Sequence, residues 1–250
     1  MTRALLFDYG GTLDTSACHW YYVLRRAYLA AGLRYRDSVL RQAYVYGERA
    51  LAQYPIIQPE DDFLMLLHKK IDQEFQWLEK EGYLHFDSGS LAPTNLPDTD
   101  GRLAKVHELA TWCDTFARRH AERSAKVLSR LAARYTLVLV SNFYGNLRAV
   151  VDGYGLGQFF PTIIESSVVG VRKPDPEIWR LAVRAAGCAP QETLAIGDSF
   201  NKDVKAAHAA GCKTVWFKGR EWKEASYDES LPTHIITQLP QLLTLLLPDA

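Results

Sequence analysis

The chain has 250 residues, with 29 Lys and Arg set against 29 Asp and Glu and a formal net charge of zero. Apolar residues make up 48% and charged residues 23%, which suits a chain with a sizeable core and excludes a disordered tail protein, a collagen and a coiled-coil rod. Balanced charge offers no electrostatic reason to expect nucleic acid or an anionic membrane as a partner.

Ala4–Phe7 is a short apolar run cut by Asp8 and followed by Gly10-Gly11-Thr12, the pattern of a buried strand running into a tight loop. It is too short for the apolar region of a signal peptide. Trp20, Val23, Leu24, Ala27, Tyr28 and Ala31 follow helical spacing, with Gly32 as the stop. A second helix is expected from Ser38 to about Tyr54. A third follows Pro59, carries Leu64, Leu67, Ile71 and Leu78, and ends at Gly82. A fourth starts near Arg102 and carries Leu103, Val106, Ala110, Cys113 and Ala117. Between the third and fourth, Asp87–Gly101 is rich in Ser, Gly, Pro, Asp and Thr, a length of loop that is uncommon unless functional or mobile. The segment is also rich in aromatic residues, from Trp20 to Trp77, read mainly as packing between helices.

From about residue 122 the pattern changes. Leu137–Val140, Thr193–Ile196, Lys213–Phe217 and His234–Ile236 are short apolar runs, most of them ending in polar or Gly residues. Helical patterns at 122–134, 176–186 and 201–210 alternate with them. Alternation of buried strands with amphipathic helices predicts an α/β fold: a parallel sheet with helices on both faces. The four helices between the first strand and this region read as an inserted all-α domain. The boundaries are placed at 1–14 and 122–250 for the sheet domain and 15–121 for the insertion. Nothing between Arg102 and Tyr135 breaks a helix, so the return lies at about 118–124. Cys18, Cys113, Cys188 and Cys212 form no CxxC pair, which favours a reducing compartment. The C-terminal LLTLLL run is far short of the ~18 residues of a spanning helix. The expected location is cytoplasmic.

Ligands of such sheets bind at the carboxyl ends of the strands, and there the polar residues gather. Asp8 follows the first strand, and Gly10 and Gly11 allow close approach of backbone N–H groups to an anion, with the Thr12 hydroxyl beside them. Ser141-Asn142 ends a second strand, Lys173 sits in the loop Arg172–Pro176, and Asp198 and Asp203 follow a third strand. Each alone reads as a turn or cap residue. Together they make a chemistry. Three carboxylates near one point call for a cation, and hard oxygen ligands with a phosphate suit Mg²⁺. A carboxylate can attack phosphorus to give an aspartyl-phosphate. Lys173 would neutralise charge, and Thr12, Ser141 and backbone N–H groups would hold the phosphoryl oxygens.

FDYGGTLD, LVSN, RKPDPEIW and IGDSFNKD, in that order, resemble the four motifs of the haloacid dehalogenase (HAD) superfamily of hydrolases, over roughly 1–16 and 122–250. The resemblance implies a Rossmann-like core with a helical cap inserted after the first motif. It implies that Asp8 is the nucleophile and that Lys173 is the stabilising lysine. Thr12 and Ser141 would contact the transferred group, with Gly11 and Asn142 on the substrate side. Mg²⁺ would be held by Asp8, the Gly10 carbonyl and Asp198, with Asp203 supporting its water shell.

One position departs from the pattern. Phosphatases of the superfamily carry a second Asp two residues after the nucleophile, to protonate the leaving group; here it is Gly10. General acid–base assistance contributes typically ~10²–10⁴-fold. The main expectation is a Mg²⁺-dependent phosphatase or phosphotransferase acting on a small phosphorylated metabolite, restricted to good leaving groups or using another proton donor, with Asp14 and the weaker His19 as candidates. A second reading is a catalytically impaired member that binds a phosphorylated ligand or partner. A third is a metal-independent haloacid dehalogenase, against which Asp198 argues. Substrate identity and oligomeric state are not legible.

Overall fold

The computed structural model describes residues 1–84, 98–223 and 225–247. The chain forms two compact units, one of Met1–Trp20 with Ala117–Ala250 and one of Tyr21–Phe116. These boundaries fall within helices α1 and α4, Trp20–Ala30 and Asp98–Ala132, and differ from the expected residues 14 and 122.

The first unit holds strands β1 (Ala4–Phe7), β2 (Thr136–Ser141), β3 (Thr162–Glu165), β4 (Thr193–Gly197), β5 (Lys213–Phe217) and β6 (His234–Ile236). They form one parallel sheet in the order β3-β2-β1-β4-β5-β6. β1 lies at its centre, flanked by β2 and β4, with Phe7 level with Leu139 and Ile196. Every residue of β1 is buried, as expected of a strand covered on both faces. One face packs Leu6, Val138, Val140 and Ala195 against Ile178, Trp179 and Ala182 of a helix and against Ala206 and Ala207. The α/β class is as read from sequence.

The second unit contains most of helix α1 (Trp20–Ala30), helices α2 (Asp37–Gln53) and α3 (Phe63–Lys80), and the first half of α4 (Asp98–Ala132). Its core is built from Tyr21, Tyr28, Leu67, Phe75, Leu109 and Cys113 among others, all buried. Gly32, at φ +80°, turns the chain out of α1 while Leu33 N–H closes on the Tyr28 carbonyl at 2.9 Å. α3 starts at Phe63 rather than just after Pro59, because the Asp62 carboxylate caps it by accepting the Met65 N–H at 2.8 Å.

Two further expectations need correction. The helices read separately as the fourth helix and 122–134 are one helix, α4, whose buried residues Val106, Ala110, Cys113, Ala117, Ala121, Leu128 and Leu131 continue a single stripe with no Gly or Pro to interrupt it. The strand β3 was not expected. It is an edge strand of four residues with Thr162 and Ile163 only half buried, so it lacks the continuous apolar run that marked the others. Of the Asp87–Gly101 loop, residues 87–97 lie outside the described residues and 98–101 belong to α4.

The rest of the first unit is α5 (Leu147–Gly153), α6 (Ser166–Val169), α7 (Pro176–Ala186), α8 (Ala206–Ala209) and α9 (Gln241–Leu246). A π-helical turn, Phe200–Lys205, precedes α8 where a regular helix was expected over 201–210. No helix among the described residues is long and apolar enough to cross a membrane.

Candidate functional site

The sheet brings the polar strand ends together. Asp8 leaves β1 with its N–H donating to the Ile196 carbonyl of β4 at 2.9 Å, so the residue sits beside the segment that carries Asp198. The loop after it is tight. Gly11 has φ +100°, and a Cβ there would stand 2.6 Å from the Asp198 carboxylate, so glycine is required on both counts. Gly197 is required for space alone, since its Cβ would lie 2.3 Å from Asp203 Cγ. Gly10 is different. It is exposed, has no positive φ, and a Cβ added to it meets nothing within 4 Å.

Lys173 is the hub. The residue is 3% exposed, and its ammonium donates to Asp8 Oδ1 at 2.6 Å and to Asp203 Oδ1 at 2.7 Å. The Thr12 hydroxyl stands 2.9 Å from Asp8 Oδ2 and 3.2 Å from Asp198 Oδ1, and it accepts the Asp198 N–H at 3.1 Å. Asp203 Oδ2 accepts the Ser199 N–H at 2.9 Å, which fastens the π-helical turn to the end of β4. Asp8, Thr12, Lys173, Asp198 and Asp203 therefore form one buried network, drawn from three separate stretches of sequence.

Ser141 closes β2 next to this network and is buried. Asn142 faces the lysine loop rather than open space: its Nδ2 donates to the Lys173 carbonyl at 2.9 Å and its Oδ1 accepts the Lys173 N–H at 2.8 Å. Asp14 is fully buried. Its Oδ1 accepts the Gly11 N–H at 2.7 Å and its Oδ2 accepts the Trp20 indole N–H at 2.8 Å. His19 precedes α1 and packs at a tilt against Trp222, with ring centroids 5.2 Å apart.

Several supporting groups had no functional reading in the sequence. The Trp179 ring lies 4.7 Å from the Lys173 ammonium and its Nε1–H donates to the Lys202 carbonyl at 3.1 Å. Trp216 Nε1–H donates to the Asp198 carbonyl at 3.0 Å. Glu165, at the end of β3, accepts the N–H groups of Gly145 and, at 3.3 Å, of Leu147, ordering the segment that follows Asn142. The only advance signal for Trp179 was its place at the end of RKPDPEIW.

Burial and mutual repulsion shape the titration of the acids. Burial pushes Asp198 well above the ordinary carboxylate range, and the charges of Asp8, Asp203 and Asp14 add to the effect. Asp203 is likewise raised by burial, against the pull of Lys173. Burial raises Asp14 to about 7. Burial opposes the charge on Lys173, but Asp203 and Asp8 outweigh it and hold the ammonium protonated. Three buried carboxyl groups, Asp8, Asp198 and Asp203, thus share a single ammonium. Asp8, Asp198 and Asp203 each present an oxygen within 4.8 Å of the others. A hard, all-oxygen donor set with surplus negative charge fits a small divalent cation such as Mg²⁺.

The chain matches the family model of the haloacid dehalogenase-like hydrolases over residues 2–211. It is 37% identical over 92 residues to glyceraldehyde 3-phosphate phosphatase of Pyrococcus furiosus, a stretch covering 36% of this chain and 38% of that protein. The match to the Methanopyrus kandleri glyceraldehyde 3-phosphate phosphatase is 32% identical over 248 residues, covering 97% of this chain and 96% of that one. The chain thus spans under half of the first relative and nearly all of the second. Among solved structures it resembles the magnesium-bound HAD-hydrolase YfnB from Bacillus subtilis, with a TM-score of 0.56, 21% identity and 98% of each chain covered, a likeness of fold. With the parallel sheet, the motif residues converging at its carboxyl edge and a family match over most of its length, this chain belongs to the haloacid dehalogenase-like hydrolases.

Proposed function

We propose that this hydrolase is a Mg²⁺-dependent phosphatase that acts on a small phosphorylated metabolite through an aspartyl-phosphate on Asp8. The observation that carries the reading is the bridging of Asp8 and Asp203 by the Lys173 ammonium, with the Thr12 hydroxyl on the other oxygen of Asp8. The phosphatase names of the relatives support it.

Asp8, Asp198 and Asp203, with the Gly10 carbonyl, would hold Mg²⁺, which supplies positive charge against the phosphoryl oxygens. In the first step an Asp8 carboxylate oxygen bonds to phosphorus as the ester P–O bond breaks, and the electron pair leaves with the alcohol oxygen. Lys173 lowers the repulsion between the carboxylate and the incoming anion. The Thr12 and Ser141 hydroxyls hold the transferred oxygens. Asn142 fixes the lysine loop. In the second step a water oxygen bonds to phosphorus as the bond between the Asp8 oxygen and phosphorus breaks, the water's protons leave with inorganic phosphate, and the Asp8 carboxylate is restored.

Gly10 gives the departing oxygen no side-chain proton, so the enzyme should favour leaving groups that need none, such as acyl phosphates. Activity should therefore be measured on acetyl phosphate and on an alkyl phosphate, with Mg²⁺ and with excess chelator. Mg²⁺-dependent release of phosphate from the first, lost in Asp8→Asn, supports the proposal. Binding of a phosphate mimic with no turnover of either substrate would favour the second reading, a ligand-binding member of the family, which the bare Gly10 position also suits. The intact Asp198 weighs against a metal-independent dehalogenase.

A further inference from the structure

Away from the acidic network, in the unit Tyr21–Phe116, helices α3 and α4 are joined by a second polar contact set. Arg102 of α4 pairs with Asp72 and Glu79 of α3 at 2.5 and 3.0 Å. Further along α4, His107 presents Nδ1 to His68 Nε2 of α3 at 3.1 Å, with ring centroids 5.1 Å apart. His68 is half buried and His107 is exposed.

We propose that His68 and His107 form a binding site for a transition-metal dication of imidazole preference, Zn²⁺, Ni²⁺ or Cu²⁺, that clips α3 to α4. The donor spacing carries the argument. Imidazole–zinc bonds of about 2.0–2.1 Å at tetrahedral to square angles require donor atoms about 2.8–3.4 Å apart, and the two nitrogens, at 3.1 Å, already stand in that range. Without the ion, one ring donates its N–H to the lone pair of the other. With the ion bound to one side of the line joining the two nitrogens, that ring carries its proton on its remaining nitrogen, so both imidazoles stay neutral and each offers one lone pair. Exposure of His107 leaves the other coordination positions to water.

The selectivity follows from ligand type. Imidazole pairs favour Cu²⁺, Ni²⁺ and Zn²⁺, whereas Mg²⁺ seeks oxygen donors. The site is therefore chemically separate from the Asp8–Asp198–Asp203 cluster, which is the one grouping of three or more metal-ligating side chains among the described residues. The two histidines are 39 positions apart in sequence, so an ion joining them closes a long loop of chain, the circumstance in which such a clip stabilises most.

The test uses the full chain in Mg²⁺ buffer at pH 7.5, with thermal unfolding followed by helical circular dichroism as Zn²⁺ or Ni²⁺ is added to ~100 µM. The expected result is a rise in the unfolding midpoint of about 3 °C, absent in His68→Gln and in His107→Gln and kept in Asp198→Asn. His107 is exposed, so its variant keeps the test valid if the half-buried His68 variant folds poorly. No rise in the unaltered protein overturns the proposal. An equal rise in His107→Gln also overturns it, because the ion then binds elsewhere.

Discussion

The Trp179 indole lies under the Lys173 ammonium, 4.7 Å from ring centroid to nitrogen, and its own N–H is anchored on the Lys202 carbonyl. A fully buried aromatic ring thus supports the cation that bridges Asp8 and Asp203, and ties it to the helical turn that carries Asp203. A desolvated cation–π contact is worth about 2 kcal/mol. Trp179→Phe keeps a ring face and loses the indole hydrogen bond; Trp179→Leu loses both. The expected order of kcat is wild type, then Phe, then Leu, with Leu down by about 10-fold or more and a destabilisation of about 2–3 kcal/mol. Steady-state kinetics and denaturant melts read the two effects. Equal activity in the Phe and Leu variants would show that the ring face does not hold the lysine.

Gly10 and Gly11 are adjacent and predict opposite outcomes. Around Gly10 there is open space, so Gly10→Asp should fold normally and restore a carboxyl where the leaving group departs. A gain of about 10²-fold in hydrolysis of an alkyl phosphate is expected, with little change for acetyl phosphate, since only the former needs a proton. Gly11→Ala forces a positive-φ residue and a 2.6 Å approach to the Asp198 carboxylate. It should abolish activity and lower the melting temperature.

Crowding of acids makes a third outcome specific. Asp198 is raised by burial and by the neighbouring Asp8, Asp203 and Asp14 charges. Asp198→Asn removes one of these like charges at nearly constant shape. In chelator the variant should melt higher than the unaltered protein, and it should lack the rise in melting temperature that Mg²⁺ is expected to give the unaltered protein. Calorimetric scans with and without Mg²⁺ decide the point.

A fourth prediction concerns the helical unit. Glu74 of α3 is fully buried and accepts the Tyr28 hydroxyl at 2.9 Å through Oε2, while Oε1 lacks a hydrogen-bond partner. Burial raises it to about 7, with Lys70 and the Tyr28 bond pulling down and Glu48 adding to the rise. The folded state therefore holds a proton that the unfolded chain, at an ordinary 4.5, releases earlier. Stability from this group is fully present below pH ~4.5, falls as pH rises, and is lost above ~7, a change of about 3 kcal/mol at most. Glu74→Gln should flatten the stability profile between pH 5 and 7. Urea melts across that range measure the slope, and an unchanged slope would place the titration elsewhere.

The motif residues were legible because each strand ends in a short polar signature, and a buried parallel strand is a continuous apolar run that marks where the signature begins. β1, β2, β4 and β5 stand out in this way, and Asp8, Asp198 and Asp203 with them, whereas Lys173 is marked by its own loop, Arg172–Pro176. β3 escaped because an edge strand covered by only one neighbour needs fewer apolar residues. The length of α4 was half legible: the absence of a helix breaker from Arg102 to Tyr135 was visible, but not that one buried stripe runs through it. Asn142 stood beside the right residues in the sequence, yet its hydrogen bonds to Lys173 come from a loop 31 positions away.

Local chemistry in the sequence was enough to mark the side chains proposed to react, because strand ends, glycine turns and carboxylates carry their signals within a few residues. Tertiary structure alone decided which groups support them. The ring beneath Lys173, the open space at Gly10 and the close approach that Gly11 must permit are distances between distant parts of the chain, and such distances exist only once the sheet has assembled.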